Sequence, residues 1–99
     1  MDKNQAIEAL IQILLGWAKE QPEYVHLDSP HEDRTLNRLD KVRPAYCVEV
    51  AKDLCPEAME PIQRFEQTLA EGNASATVLS LIYLVDALAK SHHERNGGA

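Results

Sequence analysis

Apolar residues recur at helical spacing through most of the chain, interrupted by prolines and by one Gly-Asn pair. Ala6, Ile7, Leu10, Ile11, Ile13, Leu14, Trp17 and Ala18 make a broad stripe over residues 3–20, wide enough to touch two neighbouring helices. Asp2 and Gln5 stand at capping-box spacing, where an acidic oxygen accepts orphan backbone N–H groups and the glutamine reaches back. Glu8, Gln12 and Lys19 mark the wet side, and Leu15 falls among them with no place in a monomer core. Residues 21–33 hold two prolines and no helical period, which predicts a long connection pinned to the bundle by Tyr24, Val25 and Leu27.

A second helix is expected from near Asp33. At the Arg43-Pro44 bond it either kinks or restarts with Pro44 in its first turn, because proline lacks a donor and restricts the residue before it. Cys47, Val50, Ala51 and Leu54 carry an apolar stripe on to a break at Cys55-Pro56. Met59, Ile62, Phe65 and Leu69 define a third helix that begins between Glu57 and Glu60, so that Pro61 lies in its first turn. Gly72-Asn73 is a stop signal, since both residues tolerate the left-handed conformation that closes helices. Asn73 or Ser75 then caps a last helix running to about His92 or His93. The pattern as a whole predicts an all-α, compact bundle of four to five helices, with the second helix kinked or broken at Pro44. Residues 1–95 are expected to form one domain, and 96–99 a frayed tail.

The last helix is the most apolar. Between Ala74 and Ala89 Asp86 is the one charged residue, while Val78, Leu81, Val85 and Leu88 form one ridge, Leu79 and Ile82 a second, and Leu84 widens it. Such a segment is expected to be either the central helix of the bundle or half of an interface, and unless the 21–33 connection folds over it a 99-residue chain has too few other helices to wrap it. This predicts self-association, most simply as a homodimer, with Leu15, Trp17, Leu79, Ile82 and Tyr83 as interface residues. Twelve leucines and twelve alanines against four glycines and one phenylalanine agree with helices rather than strands.

Charge narrows the partners. Sixteen acidic and ten basic side chains give a net charge of -6, with no detached basic arm, which argues against binding bulk nucleic acid or anionic lipid. A start without a basic n-region, no apolar run of about 18 residues and two cysteines lead us to expect a cytoplasmic, unexported, membrane-free protein. Two stripes stand out. Glu49, Asp53, Glu57 and Glu60 would share a side if a helix continued through Cys55-Pro56, and Arg34, Arg38 and Lys41 form a basic stripe on the preceding segment. Their default reading is a solvated surface; the alternatives are pairing within the fold, across a dimer, or with another molecule.

Candidate chemistry is sparse. His26, Asp28, His31, Glu32 and Asp33 offer metal-donor types in one loop, but at no known mononuclear spacing, so a solvated turn is the expected state. Cys47 and Cys55 are too far apart on one helix to bond and lack an activating cation, which predicts buried structural thiols. Asp86 could hold a raised pKa on its apolar ridge, but Lys90 four residues on makes a surface ion pair the simpler reading. His92-His93 suits a helix C-terminus. No phosphate loop, nucleophile elbow or paired catalytic carboxylates appear, and the expected catalytic, cofactor and metal residues are none. The reading is a small, acidic, non-catalytic helical protein–protein interaction module: adaptor, regulator, inhibitor or chaperone-like. The alternatives are an acidic decoy for a nucleic-acid-binding protein, resting on the 49–60 stripe, and a metal-dependent enzyme built on the 26–33 loop.

Overall fold

In the computed structural model, residues 2–25 and 34–97 are described, with side chains through His93. Five helices and one 3-10 turn follow in order: α1 (Lys3–Lys19), α2 (Pro22–Val25), α3 (Arg38–Leu54), the turn Pro56–Ala58, α4 (Met59–Glu71) and α5 (Ala74–Gly97). The protein is an all-α bundle. Its radius of gyration of 13.4 Å is close to the ~13 Å expected of a single compact domain of this length.

The three long helices α1, α3 and α5 begin where a side chain satisfies one of their first N–H groups. Asp2 and Gln5 close the capping box of α1, Asp2 accepting from the Gln5 amide at 2.8 Å. Asn37 and Asp40 repeat the device for α3, which sets its start four residues after the first described residue of that segment, Arg34, rather than near Asp33. Pro56 opens the 3-10 turn, and Pro61 falls in the first turn of α4, where the missing donor costs little. Gly72, at φ +83°, is the left-handed cap that ends α4. Asn73 then accepts from the Ala76 amide at 2.8 Å to start α5. α5 runs past His93 to Gly97, because no breaker precedes the glycine pair.

Pro44 does not end its helix. α3 is continuous through it, although Pro44 has no N–H to offer the carbonyl of Asp40 one turn earlier. The indole Nε1 of Trp17 donates to that oxygen at 2.8 Å. A donor from α1 thus serves the backbone group that proline leaves without its helical partner.

The core sits where α1, α4 and α5 meet, with one face of α3 closing it. Ile7, Leu10, Leu14 and Trp17 of α1 lie with Ile62, Phe65 and Leu69 of α4 and with Val78, Leu81, Leu84 and Leu88 of α5. α1, α4, α2 and the 3-10 turn all pack on α5, while α3 packs on α1 and α4. A short ladder of hydroxyls joins α4 to α5: the single Thr77 hydroxyl proton is shared between the carbonyls of Asn73 at 2.7 Å and Thr68 at 3.1 Å, and Thr68 Oγ1 lies 2.7 Å from Ser80 Oγ. The segment before α3 docks on the α4–α5 turn through Leu36 N to Gly72 O and Ala74 N to Arg34 O, at 2.7 and 2.9 Å.

Most, though not all, of the apolar girth of α5 is covered within the chain. α5 is long and apolar enough to cross a membrane by length and composition, yet it is the helix the bundle is built around. Its Val78, Leu81, Leu84 and Leu88 are fully buried by the chain itself, and Ile82, Val85 and Ala87 pack partly against the core. Only Leu79 and Tyr83 on it stand about half exposed among its large apolar residues, at 47% and 57%. The larger shortfall in cover is on α3.

Candidate functional site

α3 carries two apolar stripes. Pro44, Cys47, Val48 and Ala51 face inward and are buried. Leu39, Val42, Tyr46 and Val50 recur at spacings of three, four and four along a second line, and three of them are open to water: Leu39 at 83%, Tyr46 at 73% and Val42 at 62%. An isolated exposed leucine needs no explanation, but consecutive turns of one helix that all expose large side chains make a continuous face.

That face has a facing wall. α1 and α3 run antiparallel, since Trp17 and Glu20 near the end of α1 reach Asp40 and Arg43 near the start of α3. Between them lies an open groove of about 800 Å³, walled by Ala6, Ala9, Leu10 and Ile13 of α1 and by Leu39, Val42, Tyr46 and Val50 of α3. Cys47 and Arg43 complete it. Ala6 and Ala9 keep part of the α1 wall low. Arg43 is the one charged residue of the lining, and its guanidinium pairs with Glu20 at the rim. Burial pushes the Cys47 thiol pKa up, against a smaller opposing effect of Arg43, which disfavours the thiolate.

The residues singled out from the sequence distribute differently. Trp17 is buried inside this chain and presents no surface to a partner. Leu15 and Ile82 are half-buried; Leu79 and Tyr83 are exposed on α5, away from the groove lining. The acidic stripe is interrupted, because the helix stops at Cys55 and Glu57 lies in the 3-10 turn, where it accepts from the Ser91 hydroxyl. Glu49 and Asp53 remain exposed on α3 and Glu60 on α4. Lys52 joins α3 to α4 through Glu66 at 2.9 Å, and that hydrogen bond raises its pKa.

The basic residues also separate. Arg34 forms a fork on buried Glu23, Nε to Oε1 at 2.7 Å and Nη2 to Oε2 at 3.0 Å, and reaches Gln21 at 2.6 Å. The Glu23 bond is the main cause of its raised pKa, and burial opposes it. Lys41 points toward the Ala70 carbonyl at the end of α4, and Arg38 is exposed on α3. Asp86 pairs with Lys90 at 3.0 Å on the open face of α5. His92 meets Glu8 at 2.9 Å, tying the end of α5 to the start of α1. The candidate metal residues His26, Asp28, His31, Glu32 and Asp33 lie outside the described residues; among the described ones no group of three or more metal-donor side chains converges.

Known protein families, curated proteins and solved structures provide no match to this chain.

Proposed function

We propose that the protein is a small, non-catalytic helical interaction module that acts in the cytoplasm and binds another polypeptide along the α1–α3 groove. The observation that carries this reading is the uncovered line Leu39, Val42 and Tyr46 opposite the low wall of Ala6, Ala9 and Ile13. A helix laid into such a channel would bury its own apolar anchors at the spacing the walls present. A small-molecule site typically pairs an apolar wall with a few convergent polar groups that orient the ligand, and here the polar side chains of the lining are Arg43, the Tyr46 hydroxyl and the Cys47 thiol, with Arg43 drawn to Glu20. The apolar surplus that favours self-association is greatest on α3, with Ile13 of α1 facing it and Leu79 and Tyr83 of α5 exposed elsewhere.

The test is a photo-crosslinking amino acid placed at Tyr46, with a second one at Asp86 as a control on the far exposed surface. Irradiation in the source cell should join position 46 to another polypeptide, or to a second copy of this chain, and Leu39→Lys should suppress the product while position 86 gives none. Equal products from both positions, or none at 46, would refute the assignment.

A further inference from the structure

The outward stripe of α3 changes sign along its length. Arg38 and Arg43 lie before Tyr46, and Glu49 and Asp53 lie after it. At 1.5 Å per residue, Arg43 and Glu49 sit about 4.5 Å to either side of Tyr46, and Val42 and Val50 about 6 Å. Arg38 and Asp53 sit about 12 and 10.5 Å away in opposite directions, and all these residues with Leu39 fall within an arc of about 140° on one side of the helix. Arg38, Leu39, Val42, Arg43, Tyr46, Glu49 and Asp53 are all exposed. The order of types is therefore nearly the same read from either end, except that each positive charge is answered by a negative one.

A surface with that symmetry complements itself when turned end for end. We propose that a second copy of this chain occupies the groove, its α3 antiparallel to α3 of the first across a two-fold axis near Tyr46. The inference rests on the groove being a docking face, and it adds the occupant and its direction. Antiparallel pairing sets the arginine half of each α3 against the acidic half of the other, twice over, around a centre of Tyr46, Val42 and Val50. Parallel pairing would stack arginine on arginine and carboxylate on carboxylate, which charged surfaces resist. The exposed pairs that Arg43 makes with Glu20, and Glu49 with Lys52 at 3.8 Å, are weak enough to rearrange on contact. The small side chains of Ala6 and Ala9 on α1 leave room for the incoming helix to come close. The -6 net charge of each copy opposes dimers in general, so the local order of charge on α3 has to set the geometry.

The experiment uses the full chain and three variants in analytical ultracentrifugation at low salt, each checked by circular dichroism for the wild-type helix content and melting. Arg38→Glu with Arg43→Glu makes the stripe wholly acidic, and Glu49→Arg with Asp53→Arg makes it wholly basic. Because every substitution acts twice in a two-fold interface, each double variant should weaken self-association by about tenfold, and an equimolar mixture of the two should associate again. The variant carrying all four changes should self-associate as the wild type does, while refusing to mix with it. Preferential mixing of that variant with wild type would mean parallel pairing and would overturn the inference, as would a wild-type dimer indifferent to all three variants. A wild type that stays monomeric at every concentration overturns it too. In that event a foreign polypeptide crosslinked at Tyr46 and lost in Leu39→Lys keeps the docking reading, and no crosslink ends both.

Discussion

Removing the indole of Trp17 should reveal how α3 passes through a proline. In Trp17→Phe the ring still fills most of its site, but the Nε1 donor to the Asp40 carbonyl, now at 2.8 Å, is gone. Leaving a partly buried carbonyl short of a donor costs about 1–2 kcal/mol, and the smaller ring adds a packing loss, giving roughly 2–3 kcal/mol in all. The packing loss alone could imitate that figure, so the informative quantity is the coupling to Pro44. Pro44→Ala restores a backbone N–H one turn after Asp40, and that amide can take over the carbonyl. Trp17→Phe should then cost about 1 kcal/mol less in the Pro44→Ala background than in the wild type. Urea denaturation followed by far-ultraviolet circular dichroism gives all four corners of the cycle without relying on tryptophan fluorescence. Equal costs in the two backgrounds would refute the assigned role of the indole, leaving only its volume.

Other substitutions separate structure from surface. Arg34→Ala removes the guanidinium fork from the Glu23 carboxylate, which is buried; after allowing for the partial exposure of Arg34, a loss of about 2 kcal/mol is expected, and Glu23→Ala with Arg34→Ala should lose less than Arg34→Ala alone. At concentrations dilute enough for the chain to be monomeric, Leu39→Lys should leave the unfolding free energy within about 0.5 kcal/mol of wild type, because its side chain is there in water. Cys47 should resist a thiol reagent near about pH 8 in the native protein and react once unfolded. Its thiol pKa is raised by burial, so its contribution is complete below the ordinary thiol value and is lost as pH rises from there through the native value; stability should fall across that alkaline window, and less steeply in Cys47→Ala. Thr77→Val, which removes the hydroxyl that donates to the Asn73 and Thr68 carbonyls, should cost about 1 kcal/mol in melting measurements.

Local signals were legible where one short stretch contains both partners of an interaction. The Asp2–Gln5 box, the Gly72-Asn73 turn and the Ile62–Phe65–Leu69 stripe are as the pattern predicts. What the pattern could not supply is the choice between two stripes on the same helix. α3 shows apolar residues on opposite sides, and the smaller set, Pro44, Cys47, Val48 and Ala51, turned inward, while the larger set, Leu39, Val42 and Tyr46, stayed outside. Size alone favours burying the second set, yet the fold buries the first. The continuity of α3 was equally hidden, because the donor that serves Asp40 comes from a residue 23 positions away. The same long-range logic explains α5: its apolar girth is needed at the centre, where α1 and α4 cover it. The acidic stripe depended on a helix running through Pro56, and the 3-10 turn there breaks that line.

The central claim is that the outer face of α3 is open in one copy and covered by another. Hydroxyl-radical footprinting of Tyr46 across a dilution series of the intact chain tests it most directly, with buried Trp17 as the internal reference. Tyr46 should be protected in concentrated solution and become reactive on dilution, with Trp17 unreactive throughout and Leu39→Lys exposing Tyr46 at every concentration. Constant labelling of Tyr46 from the most dilute to the most concentrated wild-type sample would contradict it.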